Sequence, residues 1–289
     1  MSTTLLLYGD SGDGKTAQVG ELAEHVMITT GKRTRLYCAD SGGWATVQPY
    51  VNLKVIEPID CTNLPAWEML DAITKGKVLR GGKWVEDLPP DLGMIAYEGY
   101  TGLADLLMQS LAKDAAKGKN VGGQAPAVRF TQGEASFASN SPAHYGIVQG
   151  QLTTCSQESF RLPVEYVVWT ATARRAADND TTATVLGPQI VGKALTSEVP
   201  RWFHYTFRVM AIPPDELTKR PGSHRLYFSD HTDMTLQGAK GLGNDRLPLD
   251  ADGLPPFIEP ASVVKALDLI RRGSGQAEAK IAARLAAKS

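Results

Sequence analysis

The stretch Thr4-Leu5-Leu6-Leu7-Tyr8-Gly9-Asp10-Ser11-Gly12-Asp13-Gly14-Lys15-Thr16 decides the fold. Residues 4–8 are an apolar run without charge, the pattern of a strand covered on both faces in a parallel sheet. Residues 9–16 fit Gly-x-x-x-x-Gly-Lys-Thr. Behind them Val19, Leu22, Ala23 and Val26 recur at helical spacing until Gly31, so 16–30 is predicted to be a helix with a glycine stop. A glycine-rich turn between a buried strand and a helix N-terminus has a specific chemistry. The glycines let main-chain N–H groups turn inward around a phosphate, and the partial positive charge of the helix start favours the anion. In this pattern Lys15 reaches the β- and γ-phosphates of a nucleotide, and the Thr16 hydroxyl ligates Mg²⁺. Gly9, Asp10, Ser11, Gly12, Asp13, Gly14, Lys15 and Thr16 are therefore the predicted ATP-binding residues. Asp10 and Asp13 bring two negative charges to the loop. They are expected to face solvent, or one of them a basic group on a neighbouring subunit.

Outward from the loop, 35–38 reads as a second strand followed by Asp40-Ser41-Gly42-Gly43, 54–59 as a third, and 65–75 as a helix with Pro65 in its first turn. A hairpin is predicted at 78–85 around Gly81-Gly82, a buried strand at 93–97 and a helix at 103–116. Residues 117–142, rich in Gly, Ala, Ser, Gln and Asn, break the pattern and are expected to form a flexible insertion. A helix at 145–160 and an apolar strand at 164–170 follow, then strands at 181–186, 203–212 and 225–228 and an amphipathic helix at 262–271. Gly273-Ser274-Gly275 reads as a linker to an Ala/Lys/Arg tail. This gives one nucleotide-binding domain, 1–271, and a linker and tail, 272–289. The alternation of strand and helix through the first 170 residues predicts an α/β fold with a mainly parallel sheet flanked by helices. The later strands, no longer separated by helices, are expected to extend that sheet as antiparallel hairpins.

The 289 residues are 43% hydrophobic, enough for a buried core, and 30 Lys+Arg against 31 Asp+Glu leave a net charge of -1. That balance excludes a protein that coats nucleic acid by bulk charge, though a local basic patch remains open. Three cysteines (Cys38, Cys61, Cys155) without metal-ligand spacing suit a reducing compartment. No apolar run approaches the roughly 18 residues of a membrane span, and the opening residues lack the basic region of a signal peptide. A cytoplasmic protein without membrane attachment is expected. The base-reading motif Asn-Lys-x-Asp is absent, which favours ATP over GTP.

A phosphate-binding loop that supports hydrolysis needs a second carboxylate at the end of a neighbouring strand to complete the metal shell. Met94-Ile95-Ala96-Tyr97-Glu98 supplies an apolar strand ending in an acid, so Thr16 and Glu98 are the predicted metal ligands. Asp40, after the second strand, is the candidate for orienting water, with a turn or cap role as its structural alternative.

These segments resemble a family. The phosphate loop, Leu36-Tyr37-Cys38-Ala39-Asp40-Ser41-Gly42-Gly43, the strand ending at Glu98 and Val167-Val168-Trp169-Thr170-Ala171-Thr172 come in the order of RecA-like P-loop ATPases (AAA/ASCE class) encoded by bacteriophages, a group that includes single-strand-annealing recombinases. Gly187-Pro188-Gln189-Ile190-Val191-Gly192-Lys193, Leu226-Tyr227-Phe228-Ser229-Asp230-His231 and 240–246 are similar to that group as well. The resemblance implies a RecA-like core that assembles side by side, with ATP at or near subunit boundaries. It implies that Thr170 or Thr172 senses the γ-phosphate, and that Lys193 or Arg246 contributes a cation across an interface. The chain departs from the family at two positions. Ser41, with Asp40 beside it, stands where the family carries a catalytic Glu, and Glu98 stands where it carries an Asp.

The leading expectation is an ATPase of phage DNA metabolism (recombination, single-stranded DNA binding or annealing, replication). Its catalytic set is Lys15, Asp40, Glu98 and Thr170, its cofactors are ATP and Mg²⁺, and it forms a homo-oligomer in the host cytoplasm. Single-stranded DNA would meet the loop 113–137, where Lys113, Lys117, Lys119 and Arg129 are basic and Phe130 and Phe137 can stack on bases. The alternative is an ATP-dependent assembly or regulatory module, in virion morphogenesis or as a loader, with slow or no hydrolysis. A small-molecule kinase is a third reading, kept open by Arg174-Arg175.

Overall fold

The structure, a computed structural model, describes residues 2–39, 43–61, 66–116, 129–132, 135–138, 142–177, 184–191, 198–216, 219, 221–228, 239–241 and 257–286. The chain runs β1 (Thr3–Gly9), α1 (Lys15–Thr30), β2 (Arg33–Cys38), α2 (Trp44–Asn52), β3 (Ile56–Asp60), α3 (Ala66–Lys75), the hairpin β4 (Lys77–Arg80) and β5 (Lys83–Glu86), β6 (Leu92–Glu98) and α4 (Tyr100–Ala116). It continues with the hairpin β7 (Arg129–Gln132) and β8 (Ala135–Ala138), α5 (Pro142–Ser159), β9 (Tyr166–Ala177), β10 (Thr184–Pro188), a 3-10 turn (Val199–Trp202), β11 (Tyr205–Ile212), β12 (Ser223–Tyr227), β13 (Ala239–Gly241), β14 (Phe257–Ile258) and α6 (Val263–Ala286).

The strands lie in the order β14-β12-β11-β1-β9-β6-β2-β3. From β11 to β3 every pair is parallel. β12, β14 and β10 add antiparallel pairings. The fold is therefore mixed α/β, with a mostly parallel central sheet flanked by helices. Side chains alternate along each strand and divide the core in two. Leu6, Tyr8, Tyr37, Tyr97, Val167 and Trp169 face α3, α4 and α5. Leu5, Leu7, Leu36, Ala96, Val168 and Phe207 face α1, α2 and the start of α6. Three layers result, and the continuous apolar runs of β1, β6 and β9 are what a strand covered on both faces requires.

Four features depart from the sequence expectation. Residues 203–212 do more than extend the sheet as a hairpin strand: β11 pairs antiparallel with β12, as expected, and on its other edge parallel with β1, Leu5 opposite Tyr205. A fully buried β1 needs main-chain partners on both edges, and β9 satisfies only one. Second, α2 occupies a stretch to which the sequence reading assigned no element, with Pro49 inside the helix. Gly20 of α1 lets it close in, since a Cβ there would meet the Tyr50 ring. Third, Gly273-Ser274-Gly275 is not a linker but part of the unbroken helix α6, where Ser274 Oγ donates to Ile270 O at 3.1 Å. Glycine weakens a helix by about 1 kcal/mol relative to alanine but does not by itself end one. Fourth, within 117–142 there is a hairpin, β7–β8, with Phe130 opposite Phe137.

The sheet's far edge is β3, where Pro58 lies opposite Leu36 of β2. Beside it Arg35, fully buried on β2, gathers the neighbouring backbone. Its guanidinium donates to Glu57 Oε2 of β3 (2.9 Å from Nε), to the Gly76 carbonyl (2.9 Å) and to the Asp87 carbonyl. One cation thus ties β2, β3 and the β4–β5 hairpin together. Removing only one partner of a buried pair leaves the others uncompensated. Arg35→Ala is expected to lower unfolding stability by about 3–5 kcal/mol in urea titration; a loss below 1 kcal/mol would show that the network is not holding the edge.

Candidate functional site

The turn from β1 into α1 is shaped by its glycines. Gly12 and Gly14 have φ of 86° and 89°, a left-handed conformation that suits glycine. Gly9 has a different reason to be glycine: a Cβ there would stand 2.3 Å from the Val209 carbonyl oxygen of β11. Gly14 is the N-cap of α1, and no side chain caps that helix start. Its first-turn N–H groups therefore point to where an anion would lie.

Asp13 corrects the expectation that the loop's acids face solvent. Asp10 is exposed, but Asp13 is buried. Its Oδ1 accepts the Ala211 N–H of β11 at 2.9 Å, and its Oδ2 accepts the Asp10 N–H. The carboxylate turns away from the phosphate side and braces the loop against β11, with no neighbouring subunit needed to account for it. Lys15 Nζ donates to the carbonyls of Gly9 (3.0 Å) and Asp10 (2.7 Å), so the ammonium is folded across the mouth of the loop.

The opposite wall comes from the sheet. The Thr16 hydroxyl donates to Glu98 Oε1 at 2.8 Å. Glu98 ends β6, which does not adjoin β1; β9 lies between them. From β9, buried Thr170 accepts the Gly99 N–H at 3.0 Å. In the first turn of α4, Thr101 Oγ1 accepts the Thr172 N–H (3.0 Å) and donates to the Gln189 carbonyl (2.7 Å). These bonds fix the ends of β6 and β9 to each other directly above the loop.

Together these walls enclose a cavity of about 220 Å³ lined by Ser11, Gly12, Gly14, Lys15, Thr16 and Glu98, closed on the far side by Gly43, Thr46, Gly99, Thr170 and Thr172. A larger cleft, about 700 Å³, lies at the other end of β1, against Trp202 and Phe160. There His204 Nδ1 accepts the Thr4 N–H at 3.0 Å, which accounts for that histidine structurally.

The smaller cavity fits a nucleotide phosphate with Mg²⁺. A Cβ on Gly43 would stand 3.3 Å from both Thr16 and Glu98, so that glycine keeps the space beside the pair open. A hydroxyl next to a carboxylate is a hard-oxygen donor set, which Mg²⁺ prefers. Uncapped helix amides and an ammonium suit the phosphates.

Of the predicted site residues, Ser11, Gly12, Gly14, Lys15, Thr16, Glu98 and Thr170 meet at this cavity. Gly9 and Asp13 instead support the loop from behind, by their close packing on β11. Asp40, Lys193 and Arg246 lie outside the described residues, as do Lys117 and Lys119. Gly43, Thr46 and Gly99 were not predicted. Gly99 carried a signal, as a glycine directly after a strand-end acid, and adopts φ 98°. Thr46 carried none, because α2 itself was unread.

No protein-family model matches the chain, and no curated protein matches it. Among solved structures, the crystal structure of the RadB recombinase is similar with a TM-score of 0.41 and 10% sequence identity, covering 78% of this chain and 79% of that one.

The brace can be tested apart from any ligand. Asp13→Ala removes two hydrogen bonds to a buried carboxylate and leaves the Ala211 N–H unpaired, a cost of about 2–4 kcal/mol by the usual range for charged acceptors. Thermal and urea unfolding measure it; an unchanged midpoint would mean the loop stands without β11.

Proposed function

We propose that this chain is a RecA-like P-loop ATPase of the ASCE class, of the kind bacteriophages encode, binding ATP with Mg²⁺ and acting in DNA metabolism. The observation that carries this is the meeting of Thr16 and Glu98 at 2.8 Å beside Lys15. A loop, a hydroxyl and a strand-end carboxylate from two non-adjacent strands have no shared structural need to converge on a cavity. Binding a metal-nucleotide complex is a need they share.

On this reading Lys15 exchanges the carbonyls of Gly9 and Asp10 for β- and γ-phosphate oxygens. Thr16 and Glu98 hold the Mg²⁺, which when bound neutralises charge on those oxygens. The main-chain amides of the α1 start hold the β-phosphate. Thr170, fixed by the Gly99 N–H, lines the cavity wall at the phosphate end, in keeping with a γ-phosphate sensor. Asp40 is the proposed water-orienting group, single-stranded DNA the proposed partner of the segment 113–137, and Lys193 or Arg246 the proposed cation across an interface of a homo-oligomer.

A second reading, an ATP-dependent assembly module with slow hydrolysis, draws on one feature. Among the described residues lining the cavity, Glu98 is the one carboxylate, and Thr16 already engages it. A group tied to the metal shell is poorly disposed to take a proton from water as well.

Nucleotide binding and turnover, each with and without single-stranded DNA, separate these readings. Lys15→Ala is expected to weaken ATP binding by roughly 100-fold while its melting temperature holds. Glu98→Gln is expected to keep measurable binding and to lower turnover by about 100-fold or more. DNA binding that falls steeply with salt, together with stimulated turnover, supports the DNA reading. ATP-driven oligomerisation indifferent to DNA supports the assembly reading. Undiminished ATP affinity in Lys15→Ala would remove both.

A further inference from the structure

The cavity described above accounts for the phosphate and metal end of a nucleotide and leaves the other end unassigned. The sheet order fixes where that end must go. Glu98 and Thr170 come from β6 and β9, which lie on one side of β1; β11 and β12 lie on the other. A triphosphate whose terminal phosphate lies toward Glu98 therefore carries its nucleoside toward the β11–β12 flank, across Gly14 and the exposed Ala17.

On that flank stands His224. It is exposed and lies directly opposite Ala211 in the β11–β12 ladder. Two successive loop residues thus lean on one cross-strand pair: Asp13 on the Ala211 N–H, and Gly14 on the His224 ring. A Cβ on Gly14 would stand 3.1 Å from His224 Cδ2 and 3.4 Å from Nε2. The ring edge therefore borders the main chain that caps α1, and a Cβ at that position would crowd it.

The main chain that carries the imidazole is also held from behind. The His224 carbonyl accepts the Ala261 N–H at 2.8 Å. The buried Gln18 of α1 then clamps the same segment, donating to the Ala261 carbonyl at 3.2 Å and accepting the Val263 N–H at 2.7 Å. β12, the segment before α6 and the first turn of α1 thus form one braced ledge, with His224 as its exposed aromatic side chain next to the loop.

We infer that His224 is the nucleoside-contacting residue of the site, packing its imidazole against the ribose and base of the bound nucleotide. The inference rests on the phosphate-loop reading and adds to it the residue that separates a nucleotide from a bare polyphosphate. An imidazole offers a flat face for a base or sugar and a polar edge for a hydroxyl, so His224 contributes to affinity only when a nucleoside is attached.

The test compares two ligands, ATP and inorganic tripolyphosphate, each titrated with Mg²⁺ into wild type, His224→Ala, His224→Phe and Lys15→Ala. His224→Ala is expected to weaken ATP by about 10-fold, corresponding to about 1.4 kcal/mol, while tripolyphosphate changes by less than about 2-fold, within scatter. His224→Phe, which keeps a flat ring, is expected to recover most of the ATP affinity. Equal weakening of both ligands would make His224 a support of the loop and overturn the inference, as would unchanged ATP affinity in His224→Ala. Lys15→Ala is expected to weaken both ligands. If it does so while His224→Ala does not discriminate, the inference fails and the phosphate-loop reading stands; if wild type binds neither ligand, both fail.

Discussion

A loop that presents bare amides to an anion cannot hold itself together by those same amides, so something behind it must. Here that support is one buried carboxylate. Asp13 accepts the N–H of Asp10 within the loop and the N–H of Ala211 on β11, and Gly9 is bare enough for β11's Val209 carbonyl to come within van der Waals reach. The loop's shape is thereby referred to a strand nearly two hundred residues later in the chain. That strand must in turn pair with β1, whose alternating leucines feed both halves of the core. Sheet order, loop geometry and the ledge carrying His224 all follow from β11 lying beside β1.

The front of the cavity obeys a different constraint. With β9 inserted between β1 and β6, Glu98 has to reach the Thr16 hydroxyl past an intervening strand, and it does so only if the strand ends keep a fixed spacing. The threonines supply that spacing. Thr170 holds the Gly99 amide, and Thr101 bridges Thr172 to Gln189. Hydroxyls that donate and accept at once suit such a position, because each can satisfy two main-chain groups that would otherwise be stranded at the top of a buried sheet.

What the sequence disclosed, and what it withheld, follows from the range of the interactions involved. Residues 9–16, the helix behind them with its Gly31 stop, the Gly81-Gly82 hairpin and the strand ending at Glu98 were legible because their signals are local: glycine conformation, helical spacing, an unbroken apolar run. Asp13 was misread because its partner, Ala211, is remote and contributes only a main-chain N–H, which leaves no mark on the residue type. Strand β11 was assigned to the right residues, but its parallel pairing with β1 went undisclosed for the same reason: strand propensity is written locally, while partner choice is made by the whole sheet. Helix α2 was hidden by Pro49, whose average preference was outweighed by packing on α1. Gly273-Ser274-Gly275 was read by composition as a linker, whereas the helix that begins on the core surface carries through it.

Pro58, opposite Leu36 on β3, has a consequence for solubility. An outermost strand with a full set of unpaired amides is a template on which another chain can zip up. A proline in the middle of a five-residue strand removes one rung and obstructs the next chain with its ring. At the opposite end of the ordered path, β14 is only two residues long. Among the described residues, both ends of that strand path therefore offer little main chain on which a second copy could extend the sheet.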